Sequence, residues 1–125
     1  MIDFNNKSIF KLKGTTIKKG EDTVQEILID GENVISAFVS MRDSLVFTNK
    51  RIISVNVQGL TGKKVDYTSI PYSKIQVFSI ETAGTLDLDA EIDVTISGLG
   101  TIRFELKDTE NIKEIGKAIS KYVLD

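Results

Sequence analysis

Two stretches near the end of the chain alternate strictly between apolar and polar residues. In 91–97 Ile92, Val94 and Ile96 alternate with Asp93, Thr95 and Ser97. In 101–107 Ile102, Phe104 and Leu106 alternate with Arg103, Glu105 and Lys107. A period of two is that of a strand with one buried and one wet face. The Gly-Leu-Gly at 98–100 makes the turn of an antiparallel hairpin. Residues 33–40, 44–48 and 51–57 read as strands; 34–39 and 51–55 are apolar on both faces, although in the last strand Ile53, Val55 and Val57 take one face and Ser54 and Asn56 the other. Asn49-Lys50 between the last two suits a two-residue hairpin. Residues 63–70 and 73–81 read as two further strands, with Pro71-Tyr72 between them at a point where proline is tolerated.

At the C-terminus the period changes. Ile112, Ile115, Ile119, Tyr122 and Val123 fall on one helical face, with Lys113, Glu114, Lys117 and Lys121 facing water. This predicts an amphipathic helix over about 109–123, capped by Asp108 or Thr109. Upstream, Val24, Ile27 and Leu28 share a face, Asp22 can cap and Gly31 can terminate, which predicts a short helix over about Thr23–Ile29. The first 20 residues read as an arm, with the run Thr-Thr-Ile-Lys-Lys-Gly at 15–20 breaking any pattern. The expected organisation is an N-terminal arm and short helix over 1–32, then a β domain with its helix over 33–125, as a single domain. Seven short antiparallel strands at this length must form two packed sheets or a partly open barrel, with the helix plugging a corner. The fold class is mainly β with a C-terminal α-helix.

Composition narrows the chemistry. The 125 residues include no Cys and no His, so thiol chemistry, disulfides, the commonest general base and the commonest zinc ligand are all missing. A net charge of −2 gives no global attraction to nucleic acid or anionic lipid. Neither a signal-peptide pattern nor an apolar run of membrane-spanning length is present, which predicts a cytoplasmic protein.

The strand pattern and particular motifs carry a resemblance. Seven strands and a capping helix form the pleckstrin-homology superfold. Residues 42–98, with "RD", "FTNKR", "QGLTGKKV", "SIPY", "FSIETAG" and "LDAE", resemble the bacterial pleckstrin-homology-like family of small stand-alone domains, long of unknown function. The first 20 residues carry no such signature, and Asn56 stands where members often have an acidic residue. The resemblance implies a PH-like seven-stranded barrel or sandwich capped by the helix. It also implies a tendency to form closed homo-oligomeric rings, no established enzymatic activity and no cofactor. The expected role is a scaffold or protein-binding platform, the alternative a peripheral adaptor for anionic lipid or a protein partner.

Five features bear on a site. The loop Gly-Leu-Thr-Gly-Lys-Lys at 59–64 has glycines and lysines, yet its spacing is not that of a phosphate loop and a strand follows it where a helix is required. Lys50, Arg51, Lys63 and Lys64 are the candidate ligand or lipid contacts. A strand of about seven residues puts the two pairs on the order of 20 Å apart, too far for one head-group pocket in a single chain. Phosphoinositide-binding PH domains use basic residues around a long loop between the first two strands. Here that loop is only Ser-Met-Arg-Asp-Ser, 40–44, with Arg42 beside Asp43, so the lipid-site logic does not transfer. The acidic ladder Asp87, Asp89, Glu91 and Asp93 fits no EF-hand spacing and reads as a solvated strand face, so no metal is expected. Tyr67, Tyr72 and Phe78 are expected to cluster, in the core or along a peptide groove. Val34, Ile35, Phe38 and Ile52, apolar on strands without alternation, are the candidate subunit interface of a ring, unless the helix and the arm cover both faces.

Overall fold

The computed structural model describes residues 1–4, 9–84, 89–107 and 112–125. Eight strands occur among them: β1 (Ile9–Thr15), β2 (Val34–Val39), β3 (Asp43–Thr48), β4 (Arg51–Gln58), β5 (Lys64–Pro71), β6 (Ile75–Glu81), β7 (Ala90–Ile96) and β8 (Gly100–Lys107). Two helices, α1 (Ile17–Val24) and α2 (Ile112–Val123), accompany them, and a single 3₁₀ turn at Tyr72–Lys74 joins β5 to β6. The strands form one sheet in the order β5-β4-β3-β2-β1-β8-β7-β6.

Three expectations need correction. The arm contributes an eighth strand: β1 pairs antiparallel with β2 and parallel with β8, bridging two meanders. The sheet is therefore not wholly antiparallel. β5 and β6 stand at its two ends unpaired with each other, so the sheet has the open form expected and is not a closed barrel. The early helix occupies 17–24, not 23–29. Thr16 caps it, its hydroxyl accepting the Lys19 amide at 3.1 Å. Asp22 lies inside the helix and pairs with Lys18 at 2.7 Å. Gly20, which reads as a breaker, is a contact residue: a Cβ there would sit 2.6 Å from Ala37 Cβ, so glycine lets α1 lie directly on β2. The proposed caps of α2, Asp108 and Thr109, lie outside the described residues.

The apolar side chains divide into two clusters. The main core, enclosed by the bent sheet, takes Phe38, Leu45, Phe47 and Ile52 from one meander and Ile92, Val94, Ile102 and Phe104 from the other. Ile112, Ile115 and Ile119 of α2 close it. Phe38 and Phe47 meet edge to face at 6.0 Å. The second cluster lies on the opposite face of β2–β4 and takes Val34, Ala37, Val46, Ile53 and Val55. Val24 of α1 covers it, with Ile27 and Leu28 from the following turn. The missing alternation in β2–β4 is thus explained inside one chain. Val34, Phe38 and Ile52 are buried at 9%, 3% and 0% exposure, and Ile35 is half-buried, so within one chain these candidate interface residues are largely covered.

Candidate functional site

Site residues divide between the two ends of the β4–β5 hairpin. Arg51 pairs with Pro71 and Gln58 with Lys64 in register, so a full eight-residue strand separates Arg51 from Lys63 and Lys64. The expected separation of the two basic pairs holds.

At the first end Arg51 is committed internally. Its Nε donates to Glu32 Oε2 at 2.9 Å and its Nη2 to Glu32 Oε1 at 2.9 Å. Further bonds go to the Ile27 carbonyl at 2.6 Å and to Ser69 Oγ at 2.8 Å. The Glu32 side chain has no exposed surface, and Thr48 Oγ1 donates to it at 2.6 Å. Burial alone would raise the Glu32 carboxyl; the hydrogen bonds from Arg51, Thr48 and the Ile29 amide outweigh it and hold the group below its ordinary value. Tyr72 extends the network by donating to the Thr48 carbonyl at 2.7 Å, and burial pushes its phenol well up. The Tyr72 ring stacks on Tyr122 of α2 with centroids 5.6 Å apart. A bidentate, buried pair of this kind fixes the turn after α1 to the sheet. The Arg51 guanidinium is thus engaged within the fold, while Lys50 beside it is exposed.

The second end is built differently. Ser40 closes the β2–β3 turn, its amide donating to the Asp43 carbonyl at 2.7 Å. Gly59 and Gly62 take φ of 79° and 68° in the β4–β5 loop, as a hairpin loop with left-handed glycines requires. The loops are fastened together. Arg42 Nη1 donates to the Gly59 carbonyl at 3.1 Å, the Val57 amide donates to the Arg42 carbonyl at 2.9 Å, and Asn56 Nδ2 donates to Asp43 at 2.5 Å. On this clamped pair Met41 and Leu60 stand in water at 100% and 102% exposure. Lys63 and Lys64 are exposed beside Leu60, with no ion-pair partner among the described residues. Sequence reasoning found the lysines and missed Met41 and Leu60. The available signal was one large apolar residue in the middle of each polar turn.

The other features resolve as structure. Asp93 and Glu91 hold Arg103, whose Nε donates to Asp93 Oδ1 at 2.9 Å and whose Nη1 lies 3.5 Å from Glu91 Oε2. Desolvation and the neighbouring Glu81 raise the Glu91 carboxyl. Asp87 lies outside the described residues, and no group among them gathers three or more metal-ligating side chains. The expected aromatic cluster does not form: Tyr67 packs on the outer cluster, Tyr72 and Phe78 on the main core. No helix among the described residues is long and apolar enough to cross a membrane.

A bent sheet of two meanders with a C-terminal helix across its open end defines a PH-like sandwich. The chain belongs to the bacterial PH domain family, whose pattern matches residues 3–123. It is 45% identical over 102 residues to the uncharacterized protein YjqA of Bacillus subtilis (strain 168), covering 80% of this chain and 82% of that one. The structure of a DUF1696 family protein with a pleckstrin-homology domain from Shewanella loihica PV-4 is similar with a TM-score of 0.76 at 38% identity. That likeness covers 91% of this chain and 98% of that one. A pleckstrin-homology domain from Shewanella amazonensis SB2B gives 0.65 at 43% identity, covering 89% and 90%.

Proposed function

We propose that this domain is a non-enzymatic cytoplasmic scaffold: it self-assembles into a homo-oligomeric ring that presents a protein-binding platform. The observation that carries the reading is the clamped loop pair. Single exposed apolar residues are ordinary on a protein surface. Two fully exposed ones on adjacent loops held by Arg42 form a preorganised contact that loses little entropy on docking. With Val34, Phe38 and Ile52 buried, this end replaces the β2–β4 faces as the subunit contact. Met41→Asp with Leu60→Asp is expected to lower the mass measured by light scattering while leaving the far-ultraviolet circular dichroism unchanged. An unaltered oligomer would remove these loops from the interface.

A second reading is favoured by one observation, exposed Lys63 and Lys64 near Leu60 with no ion-pair partner among the described residues. Apolar tips flanked by cations suit an anionic membrane surface, where each lysine contributes about 1 kcal/mol. Co-sedimentation with phosphatidylserine vesicles, weakened by salt and by Lys63→Glu with Lys64→Glu, would favour the adaptor. Retention in the supernatant at low salt would exclude it.

A further inference from the structure

The unclosed side of the sheet forms a cleft. β5 ends at Pro71, which has no N–H to offer a neighbouring strand, and the Tyr72–Lys74 turn carries the chain to β6 without closing the ladder. Between the end of β5 and the β7–β8 turn lies an open cavity of about 390 Å³. Its apolar walls are Phe4, Ile70, Pro71, Ile96 and Leu99. Ile70 belongs to the main core and Phe4 and Ile96 pack against it, so the cleft reaches the interior, while Leu99 is 53% exposed at its rim. Among the described residues Lys74 is the one charged side chain in the lining and no carboxylate lines the cleft; Met1 lines it too, its N-terminal ammonium already bound to Asp66 at 2.7 Å. Lys74 is exposed and has no ion-pair partner among the described residues. The remaining polar atoms of the lining belong to hydroxyl residues and the backbone.

We propose that this cleft binds a single-chain anionic amphiphile of the fatty-acid class, with the acyl chain against Ile70, Ile96 and Leu99 and the carboxylate on the Lys74 ammonium. The volume falls in the range of small-molecule sites, about 300–1,000 Å³. The chemistry is divided as an amphiphile requires: a largely apolar wall and, among the described residues, one cation without a counter-charge, Lys74. The cleft is lined by none of the residues of the clamped loops, so the proposal stands apart from assembly and from membrane contact.

The test is titration calorimetry and amide NMR on the full chain with sodium octanoate, decanoate and dodecanoate, each below its micelle concentration. Saturable binding of one molecule per chain is expected, with shifts centred on Lys74, Ile96 and Leu99. Affinity should rise about fourfold for each added methylene. Lys74→Glu should weaken decanoate at least about tenfold, as expected for a charge-assisted contact made repulsive. Leu99→Asp should weaken it as well. Both positions are exposed, so an unchanged amide spectrum will show that the fold survives. Decyltrimethylammonium, of opposite charge, should not compete. No saturable binding up to the solubility limit, equal binding of the cationic chain, binding indifferent to Lys74→Glu, or shifts located elsewhere would each overturn the proposal.

Discussion

The two meanders of the sheet solve the same burial problem in different ways. In β2–β4 both faces are covered, by the main core on one side and by α1 with Ile27 and Leu28 on the other. Its main ion pair, Arg51–Glu32, is enclosed, with side-chain exposures of 19% and 0%. In β7–β8 only the inner face is covered. Its outer face carries Asp93, Glu91 and Arg103, with exposures of 27%, 25% and 44%. The same residue types therefore do unequal work. A carboxylate removed from the covered half leaves a guanidinium without its counter-charge in a poorly solvated site. One removed from the open half leaves a charge that water can take over.

The largest effect expected from breaking this contrast is at Glu32. Glu32→Ala should cost about 3–5 kcal/mol in urea unfolding, the range for half of a buried ion pair. It should also change the acid response. The folded-state pKa of Glu32 lies below its ordinary 4.5, so its stabilisation is fully present above that pH and is lost as pH falls through the lowered value. Urea midpoints between about pH 3 and pH 7 should fall on the acid side in the parent, and less steeply in the variant. Ile53→Ala, beneath α1 and fully buried, should cost about 2–5 kcal/mol through lost contacts and the cavity left behind. A cost under about 0.5 kcal/mol there would mean that the outer cluster is not a packed core.

Gly20→Ala sharpens the same point. The added methyl meets Ala37 Cβ, so a loss of about 1–3 kcal/mol is expected despite alanine's better helix propensity. Adding Ala37→Gly should recover part of it. Stabilisation by Gly20→Ala alone would mean that α1 sits further from β2 than described. The smallest effect is predicted at Asp93→Ala in the open half, a shift in thermal midpoint near the limit of detection.

The open half was readable because its solvent face is polar. Alternation at 91–97 and 101–107 gives β7 and β8 within a residue or two at each end. The covered half hid its partner. Two-sided apolar strands require a covering element but do not say whether it is a helix of the same chain or another subunit; here α1 with Ile27 and Leu28 supplies the cover on the outer face. Thr16 as a cap and Gly20 as a contact glycine were visible as residues. Their roles depend on β2 lying beneath α1, which is a tertiary fact. β1 was obscured for a similar reason: Lys11 and Lys13 interrupt its apolar run, and its parallel pairing with β8 joins residues almost a hundred positions apart. The candidate site was half legible. Lys63 and Lys64 stood out by charge, whereas Arg51 looked equally available until Glu32, 19 residues upstream, was found against it. Met41 and Leu60 gained meaning only when Arg42 was seen joining their two loops.

Size-exclusion chromatography with multi-angle light scattering on the full chain, at tens of micromolar, tests the assembly claim most directly. One symmetric peak at several times 13.9 kDa, as a ring of chains requires, is expected, reduced by Met41→Asp with Leu60→Asp. A single peak at 13.9 kDa across that concentration range would contradict it.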